Sequence, residues 1–175
     1  MKELHQYEQY FFDKRTNEIM AEFLRQWSPL CCLCTPLTGS LLAEQGHACT
    51  ILDRDQRFAD RAGYRDYNLY RPTRLEERFE LIFCDPPFFK LSLSQLFKAL
   101  RELAHYDLNQ KLLIAYLYRR RHAVEGALAP FGVKCTAYRL GYQTVQDLDG
   151  RNEIRIFSNL PESELEGLEA LKVQS

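Results

Sequence analysis

The sequence predicts an α/β fold, with a doubly wound and mostly parallel sheet covered by helices. Short apolar runs, typical of buried parallel strands, alternate along the chain with segments of helical periodicity. Proline, glycine and serine separate these segments, as expected of loops. Polar residues directly follow several apolar runs and would therefore lie beyond the carboxyl ends of the strands, where such sheets bind ligands.

The first predicted elements are a helix and a buried strand. Asp13 can cap a helix from about Lys14 to Trp27, because apolar residues recur there at helical spacing. The helix should end at Ser28-Pro29, since the residue before a proline disfavours helical geometry. Leu30 to Cys34 is a short apolar run and predicts the first strand.

A turn and a short helix are predicted to lead into the second strand. Thr35-Pro36-Leu37-Thr38-Gly39 has the composition of a turn. Ser40 to Gln45 predicts a short helix, which Gly46 is placed to end. Ala48 to Leu52 predicts the second strand, which finishes in the charged run Asp53-Arg54-Asp55.

The middle of the chain predicts two further strands and a helix. Gly63 to Asn68 can hold a short third strand, and Phe79 to Cys84 predicts a fourth. The fourth strand runs straight into Asp85-Pro86-Pro87-Phe88. Leu93 to Ala104 carries apolar residues at helical spacing and predicts the helix that follows.

The last part of the chain predicts three strands, which brings the sheet to seven. Lys111 to Leu117 predicts the fifth strand, and Arg119 to Leu128 a helix. Val133 to Leu140 and Ile154 to Asn159 predict the last two strands, joined by a polar turn around Asp147-Leu148-Asp149-Gly150. These two strands could form an antiparallel C-terminal hairpin at one edge of the sheet.

Length and composition indicate one soluble domain. The chain has 175 residues, of which 46% are hydrophobic, and no apolar run approaches the roughly 20 residues that span a bilayer. The N-terminus is polar and lacks the apolar stretch of a signal peptide. We therefore expect a cytoplasmic protein without membrane contact. Its domain should cover residues 1–161, followed by a Glu- and Leu-rich tail over 162–175 that is either a short helix or disordered.

Cysteine, histidine and charge patterns limit the classes of site. The six cysteines lie mostly within predicted strands, which favours free buried thiols in a reducing compartment over a zinc site. None of the four histidines has metal-ligand spacing, so we expect no metal. The net charge of −1 counts against a large nonspecific nucleic-acid surface but leaves room for a local basic patch.

The most informative stretch is Asp85-Pro86-Pro87-Phe88, at the end of the fourth predicted strand. Two prolines remove two backbone donors, so the carbonyls of the turn stay free as acceptors. The Asp85 carboxylate and the Pro86 carbonyl could each accept one hydrogen of an amino group and so direct its lone pair toward an electrophilic carbon. Phe88 supplies a face on which a planar group can stack. The alternative is an ordinary turn, since Asp-Pro and Pro-Pro are common turn dipeptides.

This motif and several other segments resemble the probable N6-adenine methyltransferase family. In Rossmann-like amino-methyltransferases the fourth strand is followed by Asp, Asn or Ser, then Pro-Pro and an aromatic residue. The similarity covers roughly Gln9 to Pro161. The other segments that carry it are Gln9-Tyr10-Phe11-Phe12 with Thr16, Cys34-Thr35-Pro36, Leu52-Asp53-Arg54-Asp55-Gln56-Arg57-Phe58, Tyr67-Asn68 and Asn152-Glu153-Ile154-Arg155-Ile156-Phe157-Ser158-Asn159-Leu160-Pro161.

The resemblance implies a Rossmann-like class I methyltransferase that transfers a methyl group from S-adenosylmethionine to an exocyclic amino nitrogen. The family includes the core of the CCHC zinc-finger rRNA N6-adenosine methyltransferase, so adenine N6 in RNA, including ribosomal RNA, is the acceptor that we expect. The family also includes the elongation-factor lysine methyltransferase, so a protein lysine is the alternative acceptor.

The resemblance also implies a cofactor site. The residues assigned to it are Phe12, Thr16, Thr35, Pro36, Gly39, Asp53, Asp55, Tyr67, Asn68 and Asp85. The assignment of Asp53 also has a physical reason, because a carboxylate at the end of the second strand can accept both hydroxyls of a ribose. The first loop lacks the Gly-x-Gly of common methyltransferases and holds only Gly39. A second hypothesis is therefore a binding module that keeps the fold but has lost efficient catalysis.

Catalytic and substrate contacts are expected on the same side of the sheet. Catalysis is assigned to Asp85, Pro86, Pro87 and Phe88, and substrate binding to Phe88, Phe89, Arg119, Arg120 and Asn152. Arg119 and Arg120 follow the fifth strand and could meet phosphates of a nucleic acid, although a solvated first helical turn is the alternative.

Overall fold

The computed structural model describes residues 1–147 and 149–173. Leu148 of the predicted polar turn and residues 174–175 of the predicted tail lie outside this range. The strands are β1 Leu30–Leu33, β2 Thr50–Asp53, β3 Tyr64–Asp66, β4 Leu81–Cys84, β5 Lys111–Leu117, β6 Lys134–Leu140 and β7 Ile154–Ser158. The helices are α1 Lys14–Leu24, α2 Pro36–Glu44, α3 Leu93–Leu103 and α4 Arg121–Ala127. Within the described ranges the strands form one sheet of order β3-β2-β1-β4-β5-β7-β6.

The strand order turns at β1, which pairs in parallel with β2 on one side and with β4 on the other. Leu33 of β1 lies opposite Leu52 of β2 and Cys84 of β4, so the carboxyl ends of these strands are level. Doubly wound sheets bind ligands in the crevice outside such a switch point. The last residue of β2 and the residues that follow β1 and β4 therefore border one crevice.

The C-terminal hairpin is present, with β7 inserted between β5 and β6. Strand β7 pairs antiparallel with both neighbours, whereas the remaining strand pairs of the described sheet are parallel. Strand β6 therefore lies at the edge. This arrangement confirms the predicted doubly wound, mostly parallel seven-stranded sheet.

The centre of the core lies on β1 and β4, all of whose residues are buried. Both strands are continuous apolar runs, as expected where helices cover both faces of a sheet. Met20 and Leu24 of α1 and Leu100 of α3 are fully buried against this core. Burial of each such side chain contributes roughly 1.5–3 kcal/mol to stability. The strand ends that border the crevice thus belong to the most firmly packed part of the molecule.

Asp13 caps α1 as predicted and also fixes the loop after β6. Its Oδ1 accepts the N–H of Thr16 at 2.7 Å, and its own N–H donates to the Gly141 carbonyl at 2.9 Å. Phe12 and Tyr142 form an antiparallel bridge beside this contact. A side chain at position 141 would clash with the Asp13 carboxylate, so the close approach requires glycine. The contact positions Tyr142 at the crevice.

Three helix boundaries differ from the prediction by more than one residue. Helix α1 ends at Leu24, because the Trp27 N–H donates to the Leu24 carbonyl and tightens the last turn. Helix α2 begins at Pro36, so the predicted turn over Thr35 to Gly39 was wrong. Proline is favoured at the first helical position, where its missing N–H costs nothing. Helix α4 begins at Arg121, after a 3₁₀ turn.

The described part of the tail packs against the domain. Two 3₁₀ segments, Glu162–Glu164 and Glu166–Leu171, follow Pro161. Leu168 is fully buried, and the second segment contacts α1 and β6. The Val173 N–H then donates to a carbonyl of β6 at 2.8 Å. In the part of the chain that the structure describes, every helix is too short or too polar to cross a membrane.

Candidate active site

A cavity of about 490 Å³ lies at the carboxyl ends of β1, β2 and β4. Its volume is within the range of sites for small molecules and cofactors. The site residues from the sequence analysis that border it are Asp53, Asp55, Tyr67, Asp85, Pro86, Pro87, Phe88 and Phe89. Asp53, Asp55 and Asp85 therefore border the same cavity as the diproline turn.

Asp85 directly extends β4 and is half-buried as a residue. Its N–H donates to the Leu33 carbonyl at 3.1 Å, and its Oδ1 accepts the Tyr142 hydroxyl at 2.8 Å. No donor of the described residues reaches Oδ2. Burial raises the pKa of Asp85 well above its usual range, and the bond from Tyr142 offsets only part of this rise. Burial likewise raises the pKa of Tyr142, which keeps its hydroxyl protonated and able to donate.

Two side chains, one from β5 and one from the 3₁₀ turn after it, hold the turn Pro86-Pro87-Phe88 in place. The Tyr116 hydroxyl and the Arg120 Nη1 donate to the Phe88 carbonyl at 3.0 and 2.9 Å. The Phe88 ring packs on the Tyr116 ring with a centroid distance of 4.9 Å. Within the described chain no donor reaches the Pro86 carbonyl. This carbonyl and the Asp85 Oδ2 are thus two acceptors without a donor from the described chain, and the half-buried Phe88 ring follows them in the same turn.

The other residues assigned to substrate binding have three different environments. Arg120 is held by the Phe88 carbonyl, so it supports the turn. The Arg119 guanidinium lies 5.8 Å from the centroid of the Phe89 ring, which borders the cavity. Asn152 lines a second cavity, of about 510 Å³, and does not border the first one. The structure therefore brings Arg119 and Phe89, but not Asn152, to the mouth of the main cavity.

Two carboxylates at the end of β2 have opposite electrostatic environments. Asp53 is half-buried, and burial is the main cause that raises its pKa to about 6. Its Oδ1 accepts the Asp55 N–H at 2.8 Å. Burial also acts on Asp55, but hydrogen bonds from Arg57 and Gln9 outweigh it and lower the pKa of that carboxyl. Asp53 has no ion-pair partner among the described residues, whereas Asp55 forms an ion pair of 2.6 Å with Arg57.

The loop after β1 has a cysteine where glycine would be expected. Cys34 borders the cavity with a φ of +57°, in the left-handed region that glycine adopts without steric cost. Thr35 and Pro36 are buried at the start of α2 and do not border the cavity. Gly39 lies inside α2, where a Cβ would overlap the Ile51 side chain. Gly39 therefore allows α2 to pack closely on β2 and has no contact with the cavity.

Tyr67 and Asn68, the predicted pair beside the cofactor, separate in the structure. Tyr67 borders the cavity, and its hydroxyl donates to the Thr73 carbonyl at 3.0 Å. Asn68 does not border the cavity, because its side chain turns back to accept the Tyr70 N–H at 2.9 Å. The pair therefore offers one aromatic side chain to a ligand.

Phe12 and Thr16 lie behind the cavity, against the loop that carries Tyr142. Phe12 is buried, with its ring centroid 4.9 Å from that of Tyr142. The Thr16 hydroxyl accepts the Gly141 N–H at 3.0 Å. Neither residue borders the main cavity. Both are thus better placed to support the loop after β6 than to touch a cofactor.

The N-terminal segment, residues 4–11, borders one side of the cavity through Leu4, Tyr7, Glu8, Gln9, Tyr10 and Phe11. Gln9 Nε2 donates to Asp55 Oδ2 at 2.8 Å, and Glu8 Oε2 accepts the N–H of Lys90 at 2.7 Å. These bonds tie the segment to the loop after β2 and to the loop after the diproline turn. The segment therefore encloses the space between the two loops.

Tyr142, Tyr7 and Tyr70 are among the residues that border the cavity but were not assigned to the site from the sequence. Tyr142 gave no local signal, because a tyrosine in a polar loop does not reveal which distant carboxylate it meets. Tyr7 and Tyr70 border the mouth with largely exposed rings. Their signal was available, since tyrosines in polar surroundings outside periodic segments are candidates for binding surfaces.

The thiols beside the site are not poised as nucleophiles. Burial raises the pKa of both Cys34 and Cys84 well above the usual range, which keeps these thiols protonated. Among residues 1–147 and 149–173, no group of three or more His, Cys, Asp or Glu side chains could hold a metal ion.

Comparison with known sequences identifies one family. The model of the family described as probable N6-adenine methyltransferase matches residues 3–160. No curated protein matches the chain in sequence.

Solved structures of methyltransferases share the fold at low sequence identity. A proposed RNA methyltransferase from Pyrococcus horikoshii is 14% identical with a TM-score of 0.58, over 90% of this chain and 89% of that chain. The N-methyltransferase NodS from Bradyrhizobium japonicum is 15% identical with a TM-score of 0.52, over 83% and 94%. Magnesium protoporphyrin IX methyltransferase from Synechocystis, with bound S-adenosylmethionine, is 12% identical with a TM-score of 0.55, over 83% and 76%. These similarities establish the Rossmann-like fold.

Proposed function

The chain belongs to the probable N6-adenine methyltransferase family, and from this premise we propose that it methylates the N6 amino group of adenine in RNA. It is an S-adenosylmethionine-dependent N-methyltransferase, so the proposal concerns the acceptor and the residues that serve it. The observation that carries it is the diproline turn at the cavity that Asp53 also borders, where Asp85 Oδ2 and the Pro86 carbonyl receive no hydrogen bond from the described residues. Ribosomal RNA is the first source to test.

The residues at the ends of β1 and β2 fit the nucleoside part of the cofactor. Asp53 is a half-buried carboxylate without an ion-pair partner in the described chain, and it can accept ribose hydroxyls. The left-handed backbone at Cys34 allows the chain to turn away after β1, as a glycine would. Tyr67 offers an aromatic surface at the same cavity. We assign these three residues to cofactor binding.

The diproline turn can orient an exocyclic amino group. Such a group has two hydrogens, one for Asp85 Oδ2 and one for the Pro86 carbonyl, and the two bonds fix the direction of its lone pair. When bound, S-adenosylmethionine supplies a methyl group on an electrophilic sulfonium. Alignment of the lone pair with that carbon is the main contribution that the chain can make. Phe88 then stacks on the purine ring.

Asp85 also suits the charge that develops on nitrogen. The amino nitrogen becomes positive as it bonds to carbon, and a nearby carboxylate stabilises that charge. Because the pKa of Asp85 is raised, its Oδ2 accepts the departing N–H proton more readily than a surface carboxylate would. The Tyr142 bond keeps the carboxylate oriented while this happens.

A planar amine fits the site better than lysine does. A lysine ammonium has no lone pair until it loses a proton, and an adjacent carboxylate raises the pKa of that ammonium. Adenine N6 is a neutral amino group, and the purine ring that carries it can stack on the Phe88 ring. These two differences favour adenine over the protein lysine that remains the alternative acceptor.

The experiment is methyl transfer from tritiated S-adenosylmethionine to a cell lysate that lacks the protein. Parallel samples are treated with RNase, DNase or protease, and the labelled nucleosides of the RNA fraction are separated. We expect RNase-sensitive label that migrates as N6-methyladenosine. Protease-sensitive label would instead establish a protein acceptor, and cofactor binding by calorimetry without any transfer would indicate a binding module.

A further inference from the structure

Three aromatic side chains with large exposure surround the mouth of the cavity. Tyr7, Tyr70 and Phe89 are 64%, 41% and 65% exposed, and all three border it. Large aromatic rings are usually buried, so their concentration at one opening indicates a binding surface. Tyr106, which is 48% exposed, does not border the cavity and offers a comparison. We call Tyr7, Tyr70 and Phe89 the aromatic rim.

Basic side chains accompany the rim. Arg54 and Lys90 border the same cavity, and the Arg119 guanidinium lies 5.8 Å from the centroid of the Phe89 ring. In the part of the chain that the structure describes, none of the three forms an ion pair with an acidic side chain. The carboxylates Glu8, Asp53, Asp55 and Asp85 border the same cavity, so the charge of its lining is mixed. Lys90, next to Phe89 in the chain, and Arg119 place cations beside the rim. Exposed aromatic faces beside unpaired cations favour a ligand with flat bases and phosphates.

We propose that the aromatic rim binds unpaired nucleotides on either side of the target base, which makes single-stranded or looped RNA the substrate. This inference rests on the proposed function and adds the strand state and the residues that select it. Each unpaired base can stack on a ring, and the phosphates between bases can meet Arg54, Lys90 and Arg119. In a duplex the neighbouring bases stack on one another and leave the rings of the rim without partners.

The test measures the binding of fluorescent probes to the full chain in the presence of S-adenosylhomocysteine. The probes are a short unpaired RNA with one adenine, the same sequence within a perfect RNA duplex, and a lysine-containing peptide. The proteins are the wild type and the variants Tyr7→Ala, Tyr70→Ala and Phe89→Ala, with Tyr106→Ala as the matched control. Circular dichroism and the melting temperature confirm that each variant is folded.

We expect the unpaired RNA to bind more tightly than the duplex or the peptide. Each rim substitution should weaken this binding roughly 5- to 100-fold, as for loss of one stacked base, whereas Tyr106→Ala leaves it unchanged. Equal affinity of wild type and all three folded rim variants for unpaired RNA overturns the rim proposal. That result leaves the proposed function intact if the wild type still forms N6-methyladenosine in RNA. Peptide binding that depends on the rim, with no RNA methylation, overturns both.

Discussion

The Tyr142 hydroxyl donates a hydrogen bond of 2.8 Å to Oδ1 of Asp85 and so joins the loop after β6 to the loop after β4. The bond occupies one carboxylate oxygen and leaves the other available. Burial raises the pKa of the Asp85 carboxyl group, and the bond from Tyr142 lowers this pKa in part. Tyr142 is therefore a positioning residue, since it would act on the methylated amino group only through Asp85.

Tyr142→Phe should shift the pH dependence of methyl transfer. The ionised form of Asp85 accepts the amino hydrogen, so activity rises with pH through the pKa of Asp85. Loss of the Tyr142 bond raises that pKa further, so the acidic limb moves to higher pH and kcat falls roughly tenfold or more near neutral pH. Activity should recover in part at alkaline pH.

The measurement is a kcat profile from pH ~5 to ~9 at saturating cofactor. Tyr138→Phe is the matched control, because it removes a tyrosine hydroxyl whose partner is Glu169, on the surface. An unshifted acidic limb in Tyr142→Phe would contradict the role given to this bond.

Asp85→Asn should reduce activity and increase stability. The amide places an N–H where a carboxylate oxygen accepted, so we expect at least a ~100-fold loss of kcat. The raised pKa means that ionisation of Asp85 destabilises the folded state. This penalty is absent below the pKa of the unfolded chain, grows as pH rises, and is complete above the folded pKa.

Thermal melting of Asp85→Asn and the wild type at several pH values checks the direction in which their stability difference changes with pH. The variant should melt at a higher temperature than the wild type at alkaline pH, and the difference should shrink as the solution is acidified. A variant that is less stable than the wild type at alkaline pH would show that Asp85 contributes to the fold.

Asp53→Asn should weaken cofactor binding by roughly 10- to 100-fold, the loss of affinity expected when hydrogen bonds to a charged group are weakened. The pKa of Asp53 is about 6, and the ionised form is the better acceptor for ribose hydroxyls. Wild-type affinity should therefore decline as pH falls through about 6, and that of the variant should change little. Calorimetry with S-adenosylmethionine measures both. Asp66→Asn is the matched control, because Asp66 lies opposite Asp53 in β3 but outside the cavity.

Cys34→Val should destabilise the protein by about 1–2 kcal/mol, because a β-branched side chain is strongly disfavoured at positive φ. Cys34→Gly should leave the melting temperature near that of the wild type, because relief of strain offsets the lost side-chain contacts. Cys135→Val is the control, since Cys135 lies in a strand where valine is favoured. Equal effects of valine at the two positions would contradict the strain at Cys34.

Gly141→Ala should lower both stability and activity. Its Cβ clashes with the Asp13 carboxylate, so the cap of α1 is disturbed and Tyr142 moves away from Asp85. A loss of about 1–2 kcal/mol is expected from the cap. Gly126→Ala is the control, because Gly126 lies in α4 with open space around its Cβ and should gain about 0.5–1 kcal/mol. Chemical denaturation measures both variants.

The parts of the site that lie on strand ends could be predicted from the sequence. An apolar run that stops at Asp53 or Asp85 specifies both the strand and the side of the sheet on which its carboxylate lies. The carboxyl ends of parallel strands lie at one edge of the sheet, so both carboxylates could be expected at that edge without any knowledge of side-chain contacts. The same reasoning gave the seven strands and the C-terminal hairpin.

The contacts between distant loops could not be predicted in this way. Tyr142 meets Asp85 only because Gly141 packs against the cap of α1, a relationship that no local periodicity encodes. Gly39 was assigned to the cofactor because glycine often allows a ligand to approach. In the structure Gly39 lies inside α2, where a Cβ would overlap Ile51, and the left-handed backbone after β1 is at Cys34.

The central claim is that Asp85 orients an adenine amino group beside the bound cofactor, and a product analysis tests it most directly. The wild type and Asp85→Asn are each incubated with S-adenosylmethionine and a short unpaired RNA, and the nucleosides are identified by mass spectrometry. We predict N6-methyladenosine from the wild type alone, with cofactor binding retained by the variant in calorimetry. Formation of N6-methyladenosine by Asp85→Asn at the wild-type rate would contradict the claim.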